Sequence, residues 1–257
     1  MGKPPSKKDL KTKTIHGIYA GIITEHNLPQ EVYFYNSQKL MSGVHKGWKN
    51  SVKLTYNSPD WKLYEAISDN IFLFSGAKTF KMTEEILPLM TDDKGLLRNF
   101  DDFKTAAGPV YDKYNETWLE TEYETALSGS RETEKFNDFV KNDVQYLRWL
   151  TAEDETVCPD CGGLDDTVKA IDDWDETPPL HYNCNCTLQP EYDSDSVTNK
   201  FSGVIINKTH ANFLFKNNPY KTGMIFPPHM SYFKGVPKEL AKNNFGLPIP
   251  IKHELQK

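Results

Sequence analysis

The spacing of apolar residues predicts a helix that begins near Pro29. Asn27 is a suitable N-cap, and Pro29 suits the first helical turn, where a backbone N–H is not needed. Apolar and aromatic side chains then recur close to the helical period. These positions are Val32, Tyr35, Leu40, Val44 and Trp48. Gly43 and Gly47 weaken the pattern and indicate that the helix ends near them.

A second helix is predicted from Ser58-Pro59, again a capping residue followed by proline. Its apolar positions at helical spacing are Leu63, Ile67, Ile71 and Phe74. The run Asn70, Ser75 and Gly76 predicts a break or a second segment within it. Pro88 is expected to end the pattern.

A third helical region is predicted from Asn99 or Asp101, with an interruption or kink at Gly108-Pro109. Beyond it, two apolar stripes follow the helical period, which indicates a helix buried on two sides. One stripe is Tyr111, Tyr114 and Trp118, and the other is Leu119, Tyr123 and Leu127.

Residues 146–151, YLRWLT, alternate apolar and polar side chains and predict a strand. We therefore expect an α+β chain in four parts: a basic flexible arm (1–14), a mainly helical body (15–145), a small β-containing module clipped by zinc (146–190), and a linker with an extended, irregular segment (191–257). The last part is rich in turn-forming Pro, Gly and Asn but keeps enough aromatic residues to lie on a partner.

Four cysteines and one histidine carry the chemistry of the predicted module. Cys158 and Cys161 form a C-x2-C pair, and His181, Cys184 and Cys186 follow about twenty residues later. Thiolates and imidazoles in two close groups are typical of a structural zinc site with four ligands. Disulfides, free thiols and a redox C-x-x-C pair are the alternatives. Cys158, Cys161 and Cys186 are the firmer choices, and His181 and Cys184 compete for the fourth place.

Positive charge is concentrated in the N-terminal arm, and negative charge is concentrated in the module that contains the cysteines. The net charge is −6, yet the first thirteen residues carry five lysines against one aspartate. These are Lys3, Lys7, Lys8, Lys11 and Lys13. The arm is expected to be disordered, either as a solubilising tail or as a weak contact for nucleic acid. Between Thr151 and Asp195, thirteen carboxylates face one lysine, Lys169, so the module itself should repel phosphate.

Other function classes find little support in the residues. No Walker A loop, Rossmann glycine pattern, G-x-S-x-G or H-E-x-x-H occurs. Neither a secretory signal nor a run of eighteen apolar residues is present, so we expect a protein of a reducing cytoplasm, or of an assembly built there, with no membrane contact. The segment VCPDC could suggest the P-C-x-x-C of a zinc deaminase, but the order of the motifs is inverted and His181 is followed by Tyr182-Asn183 rather than by a glutamate two residues on. We therefore expect no enzymatic activity.

Several segments between Ile71 and Pro190 resemble the phage Mu F-like family of head morphogenesis, or minor head, proteins. The helical part contributes IFLFSGAKTF with NFDDFK, and YNETWLETEYETA (Tyr114–Ala126). The specific motif is LRWLTAEDETVCPDCGGLDDTV followed by PPLHYNCNCTLQP. Two positions depart from the family pattern: Asp166 stands where a glycine is frequent, and Asn185 where an arginine is frequent.

The resemblance implies a structural component of a tailed-phage head, present in the virion and in contact with portal or capsid proteins. It would be assembled in the cytoplasm of a bacterial host. Two alternatives stay open: a zinc-containing nucleic-acid-binding protein, supported only by the lysine arm, and a toxin-like nuclease.

Overall fold

Five long helices and a small sheet make up most of the computed structural model, which describes residues 6–48, 54–152, 154–193, 196–197 and 215–249. The helices are α1 (Lys7–Tyr19), α2 (Gln30–Gly47), α3 (Pro59–Ile86), α4 (Phe100–Asp112) and α5 (Trp118–Lys141). The strands are β1 (Tyr146–Leu150), β2 (Val168–Ala170) and β3 (Thr187–Glu191). The predicted α+β class is confirmed. No helix in the described ranges is long and apolar enough to cross a membrane.

The chain divides into two compact units. One comprises Met1–Lys39, Ile71–Glu120 and Ser231–Lys257, and the other comprises Leu40–Asn70 and Thr121–Met230. Helices α2, α3 and α5 contribute residues to both. The predicted boundaries at residues 14, 145 and 190 remain predictions of the sequence.

The first helix differs from the flexible arm that the lysines predict. Ser6 caps α1, because its hydroxyl accepts the N–H of Asp9 at 3.2 Å and donates to the Asp9 carboxylate at 2.6 Å. Leu10 and Thr14 are buried on the inner face of the helix. The expectation of disorder was therefore wrong from Lys7 onward, since a capping box and an apolar stripe outweigh the charge run. Lys3 lies outside the described residues.

Helices α2 and α3 begin where the sequence places them. Gln30 follows Pro29, and the Ser58 hydroxyl accepts the N–H of Trp61 at 3.1 Å as the cap of α3. The break predicted within α3 is wrong. The Asn70 side chain both donates to and accepts from the backbone of Phe226 at 2.8 Å, and the Ser75 hydroxyl donates to the Ile71 carbonyl within the helix. These polar residues are satisfied without interrupting the helix.

Helix α4 is capped by Asn99, one of the two predicted start points. Pro109 lies inside it, so the predicted interruption at Gly108-Pro109 is wrong in position. The irregular turn comes later, at Lys113–Thr117, where the backbone has π-helical spacing. Within that turn the buried Asn115 donates to the Tyr111 carbonyl and accepts from the Asn36 amide, both at 2.9 Å. Buried polar contacts therefore stabilise the wide turn.

The predicted strand at Tyr146 is β1, the centre of an antiparallel sheet with the order β2-β1-β3. Its alternation places Leu147 and Trp149 in the core. Trp149 lies opposite Leu188 of β3 in the register. Around them a buried cluster unites the sheet with three of the cysteines. Its members are Phe136, Val144, Leu147, Trp149, Cys161, Leu164, Trp174, Leu180, Cys184, Cys186 and Leu188.

The described C-terminal residues form short helices, including Pro219–Thr222 and Lys238–Lys242, joined by turns. Several of their aromatic residues, which were expected to lie on a partner, are instead buried within the chain. Phe215 packs on Phe226 at a ring-centre distance of 6.0 Å, and Tyr232 packs on Phe74 at 5.2 Å. Hydrophobic burial within the chain already uses these side chains. The linker predicted after Pro190 lies partly outside the described residues.

Candidate metal centre

The C-x2-C pair sits on one turn of helix, α6 (Pro159–Gly162). Cys158 is its N-cap, and its sulfur accepts the N–H of Cys161 at 3.4 Å. Pro159 occupies the first helical position, which fixes the turn that brings the two sulfurs together. Cys161 is buried and Cys158 is partly exposed.

His181 faces both of these sulfurs. Its Nε2 lies 3.2 Å from the Cys158 sulfur and 3.3 Å from the Cys161 sulfur. Its Nδ1 lies 2.8 Å from the carbonyl oxygen of Tyr182. A carbonyl can only accept, so this contact requires a proton on Nδ1, and in the neutral ring Nε2 then keeps its lone pair. This is the usual state of a metal-binding histidine whose second nitrogen is held by a hydrogen bond.

Cys184 and Cys186 complete the cluster from the segment that enters β3. Both are buried, and the sulfurs of Cys161 and Cys184 are 3.9 Å apart. The five side chains all line one cavity of about 10 Å³. Their ligand atoms form two overlapping groups that share Cys161: Cys158 with His181, and Cys184 with Cys186. Within each group the atoms lie within 4.8 Å of one another.

The donor set and its dimensions suit a small, thiophilic ion. Zinc–sulfur bonds of about 2.3 Å in a tetrahedron place neighbouring sulfurs about 3.8 Å apart. The separation between Cys161 and Cys184 is 3.9 Å. The cavity of about 10 Å³ has room for one ion and for little else. All four cysteines are free thiols, so they are available as ligands.

The buried thiols cannot all ionise by themselves. Hydrogen bonds with Cys161 and Cys186 lower the pKa of Cys184. Hydrogen bonds with Cys184 and Cys186, together with burial, raise the pKa of Cys161. A hydrogen bond with Cys161 lowers the pKa of Cys186, but the hydrogen bond with Cys184 and burial outweigh it and the net shift is upward. One negative charge therefore suppresses the next, and a bound cation would relieve that repulsion.

The carboxylates around the cluster serve the backbone and one arginine. Asp165 accepts the N–H of Thr151 at 2.8 Å. Arg148 pairs with Asp166 at 2.9 Å and with Glu191 at 2.5 Å. The acidity that the sequence predicts for the module is thus partly used to fasten its loops to the sheet.

Four of the five lysines proposed for nucleic acid lie on α1, in two pairs, and Lys3 lies outside the described residues. Lys7 and Lys8 are exposed. Lys11 is paired with Asp112 at 2.6 Å and Lys13 with Glu31 at 3.3 Å. These four are on the helix surface, but the structure joins two of them to carboxylates of the chain.

A family model identified the region that contains this cluster. Residues 76–189 match the family described as phage Mu protein F like protein. The match supports the resemblance of this segment to the phage Mu F-like family. Comparisons with curated proteins and with solved structures gave no match. The Mu F-like segment contains all five cluster residues and both β1 and β2.

Asp166, the first departure from the pattern, has a physical explanation in the structure. Its φ of 58° lies in the left-handed region, which glycine adopts without steric penalty. Aspartate is among the few other residues that adopt it. The departure therefore preserves the turn and adds the ion pair with Arg148.

Two residues that support the cluster were not identified from the sequence. The carboxylate of Glu132 on α5 holds the first residues of β3, and the buried indole of Trp149 lies in the same core as the cysteines. Neither residue is part of a recognisable sequence motif. The alternation of YLRWLT predicts that Trp149 is buried but does not identify its neighbours.

Proposed function

We propose that the chain is a minor head protein of a tailed phage. The match of residues 76–189 to the phage Mu F-like family suggests a phage head morphogenesis protein. We propose in addition that the protein is carried in the virion head and contacts portal or capsid proteins. It would be assembled in the cytoplasm of the bacterial host. The observation that carries the proposal is the family match over residues 76–189, which includes the complete Cys/His cluster.

Within this function we assign the cluster as a structural zinc clip. Cys158 and Cys161 come from α6, and the other three come from the loop before β3. An ion held by both groups would join two segments that are about twenty residues apart in the chain. Its chemical contribution would be charge compensation and folding energy, as in other structural zinc sites.

We further propose that the cluster is not catalytic. A catalytic zinc keeps a coordination position for substrate or water. Five candidate ligands surround a cavity of about 10 Å³ here, which supports a closed site. A closed site does not suit a toxin-like nuclease that works at the cluster.

A contact with packaged DNA through α1 is the weaker part of the proposal. The exposed Lys7 and Lys8 support it, whereas the ion pairs of Lys11 and Lys13 reduce the free positive charge. Replacing Lys7 and Lys8 with Gln leaves the buried face of α1 intact. We expect the full chain to bind DNA in a salt-dependent way and this variant to lose that binding.

Quantitative mass spectrometry of purified proheads and mature particles tests the head assignment. The particles should come from the phage or prophage that encodes the chain. We expect the protein in both, at few copies relative to the major capsid protein. Absence from both would overturn the head assignment whatever the metal content of the purified chain.

A further inference from the structure

The indole nitrogen of Trp149 is a buried hydrogen-bond donor. Trp149 is fully buried, and among the described residues its Nε1 has no hydrogen-bond partner within normal geometry. A buried donor without a partner has lost its hydrogen bonds to water without replacement, and native proteins contain few of them. An acceptor that gains strength when a ligand binds would account for its presence.

The strand register places that donor beside the metal centre. Trp149 of β1 lies opposite Leu188 of β3. Directly opposed residues of an antiparallel pair share one face of the sheet, and so do residues two apart on one strand. Cys186 is two residues before Leu188 and belongs to the same buried cluster as Trp149.

Sulfur changes as an acceptor when it loses its proton. A thiol is a weak acceptor, whereas hydrogen bonds to an ionised acceptor are about twice as strong as neutral ones. Metal binding requires the thiolate. The Trp149 donor would thus be poorly satisfied beside a thiol and well satisfied beside a metal-bound sulfur.

We propose that Trp149 is a positioning residue of the metal centre, whose indole N–H donates a hydrogen bond to the metal-bound sulfur of Cys186. The interaction makes Cys186 one of the four ligands. Three of the other four candidates then supply the remaining ligands, and the fourth does not bind the metal. The proposal rests on the metal clip proposed above and adds to it a named hydrogen bond.

Trp174 supplies a matched control. It is buried, it stacks on Trp149 with ring centres 6.0 Å apart, and its indole nitrogen also has no partner among the described residues. It is placed by the turn after β2 rather than opposite β3. A tryptophan-to-phenylalanine change at either position keeps an aromatic ring in the stack and removes one N–H.

The direct test uses the full chain labelled with ¹⁵N-tryptophan and loaded with ¹¹³Cd. The five indole signals are assigned with single Trp-to-Phe variants. We expect the Trp149 indole proton to move downfield on metal binding and to show a scalar coupling to ¹¹³Cd, with neither effect at Trp174. A metal-loaded chain in which Trp149 has no coupling and shifts no more than Trp174 would overturn the proposal.

Metal affinity and spectroscopy give a second readout. We expect W149F to weaken Co²⁺ binding about 10-fold and to shift the sulfur-to-cobalt charge-transfer band, because outer hydrogen bonds tune ligand strength. W174F should change the affinity less than 3-fold and leave the band in place. If both variants behave alike, the proposal fails while the metal clip stands. If the full chain binds neither Cd²⁺ nor Co²⁺, both fail.

Discussion

The carboxylate of Glu132 accepts a hydrogen bond from the hydroxyl of Thr187 at 2.9 Å. It also receives the backbone N–H of Leu188 at 3.3 Å and pairs with Lys135 at 3.1 Å. Glu132 is buried on α5, and Thr187 directly follows Cys186. The contact therefore joins a long helix to the strand that carries the last cysteine, and fixes where that cysteine lies.

Replacing Glu132 with Ala should destabilise the chain by about 1–3 kcal/mol, because it removes the side-chain acceptor of the buried Leu188 N–H and one acceptor of the half-buried Thr187 hydroxyl. Glu132→Gln keeps an acceptor and should lose less. Urea unfolding of the metal-saturated protein measures both. Glu124→Ala, at an exposed position of the same helix, is the control and should leave the midpoint unchanged. An Ala variant that unfolds with the wild-type midpoint would show that this contact contributes nothing.

Substitution of Cys161 should weaken metal binding more than substitution of any other ligand. Cys161 alone belongs to both groups of potential ligands. We expect Cys161→Ser to weaken zinc binding by at least about 100-fold, as loss of a direct ligand exceeds the 10- to 100-fold effect of an outer-shell change. Competition with a chromophoric chelator measures the affinity. Asp160→Asn changes the same turn without touching a sulfur and should bind zinc normally. Equal affinities for the wild type and Cys161→Ser would remove Cys161 from the site.

Asp60 gives a pH-dependent prediction away from the cluster. It accepts hydrogen bonds from Lys141 at 2.5 Å and Asn137 at 3.1 Å. Burial alone would raise the pKa of Asp60, but the hydrogen bonds from Lys141 and Asn137 outweigh it and lower the pKa. A lowered folded-state pKa contributes stability that is present above the unfolded value of about 3.9 and is lost as the pH falls through the folded value.

Asp60→Asn should therefore cost about 1 kcal/mol at pH 7, and the difference from the wild type should shrink below about pH 4. Urea midpoints at several pH values measure it. In a Lys141→Met background the same substitution should have a smaller effect, because the charge partner is gone. A difference between the wild type and Asp60→Asn that is the same at pH 3 and pH 7 would contradict this assignment.

Gly43 should tolerate no side chain. A Cβ there would lie 2.8 Å from the carbonyl oxygen of Tyr123 on α5, which is backbone and cannot rotate away. We expect Gly43→Ala to destabilise the chain by about 1–3 kcal/mol through overpacking, despite the better helix propensity of alanine. Thermal unfolding measures it, with Gln38→Ala at an exposed position of α2 as the control. A stabilised Gly43→Ala variant would mean that the helices separate without penalty.

Local signals in the sequence predicted the helix starts well. Ser58-Pro59 and Asn99 act on backbone groups within three residues, so the sequence contains the whole interaction. The break expected in α3 failed for the opposite reason. Asn70 is satisfied by Phe226, 156 residues later, and no spacing rule reveals that partner. The disorder expected of the lysine arm was wrong because the capping box of Ser6 and Asp9, which is visible in the sequence, outweighs the run of positive charge.

The candidate site likewise has features that the sequence predicted and features that it did not. Cysteine and histidine spacing predicted the cluster because the ligands of structural metal sites lie on short turns. All five predicted side chains line one cavity. The support from Glu132 and Trp149 depends on helix packing and on strand register, and Trp149 meets the cluster only because β1 lies beside β3. Contacts of this kind can be identified only once the fold is known.

Native mass spectrometry of the purified full chain, with elemental analysis of the same sample, tests the metal clip most directly. We predict one zinc ion per chain, and loss of that ion should expose the backbone amides of residues 146–191 to hydrogen exchange, since the binding energy of a structural metal is folding energy. A chain that contains no metal after purification and after incubation with zinc, and whose amides in this region are protected to the same extent with and without a chelator, would contradict the account.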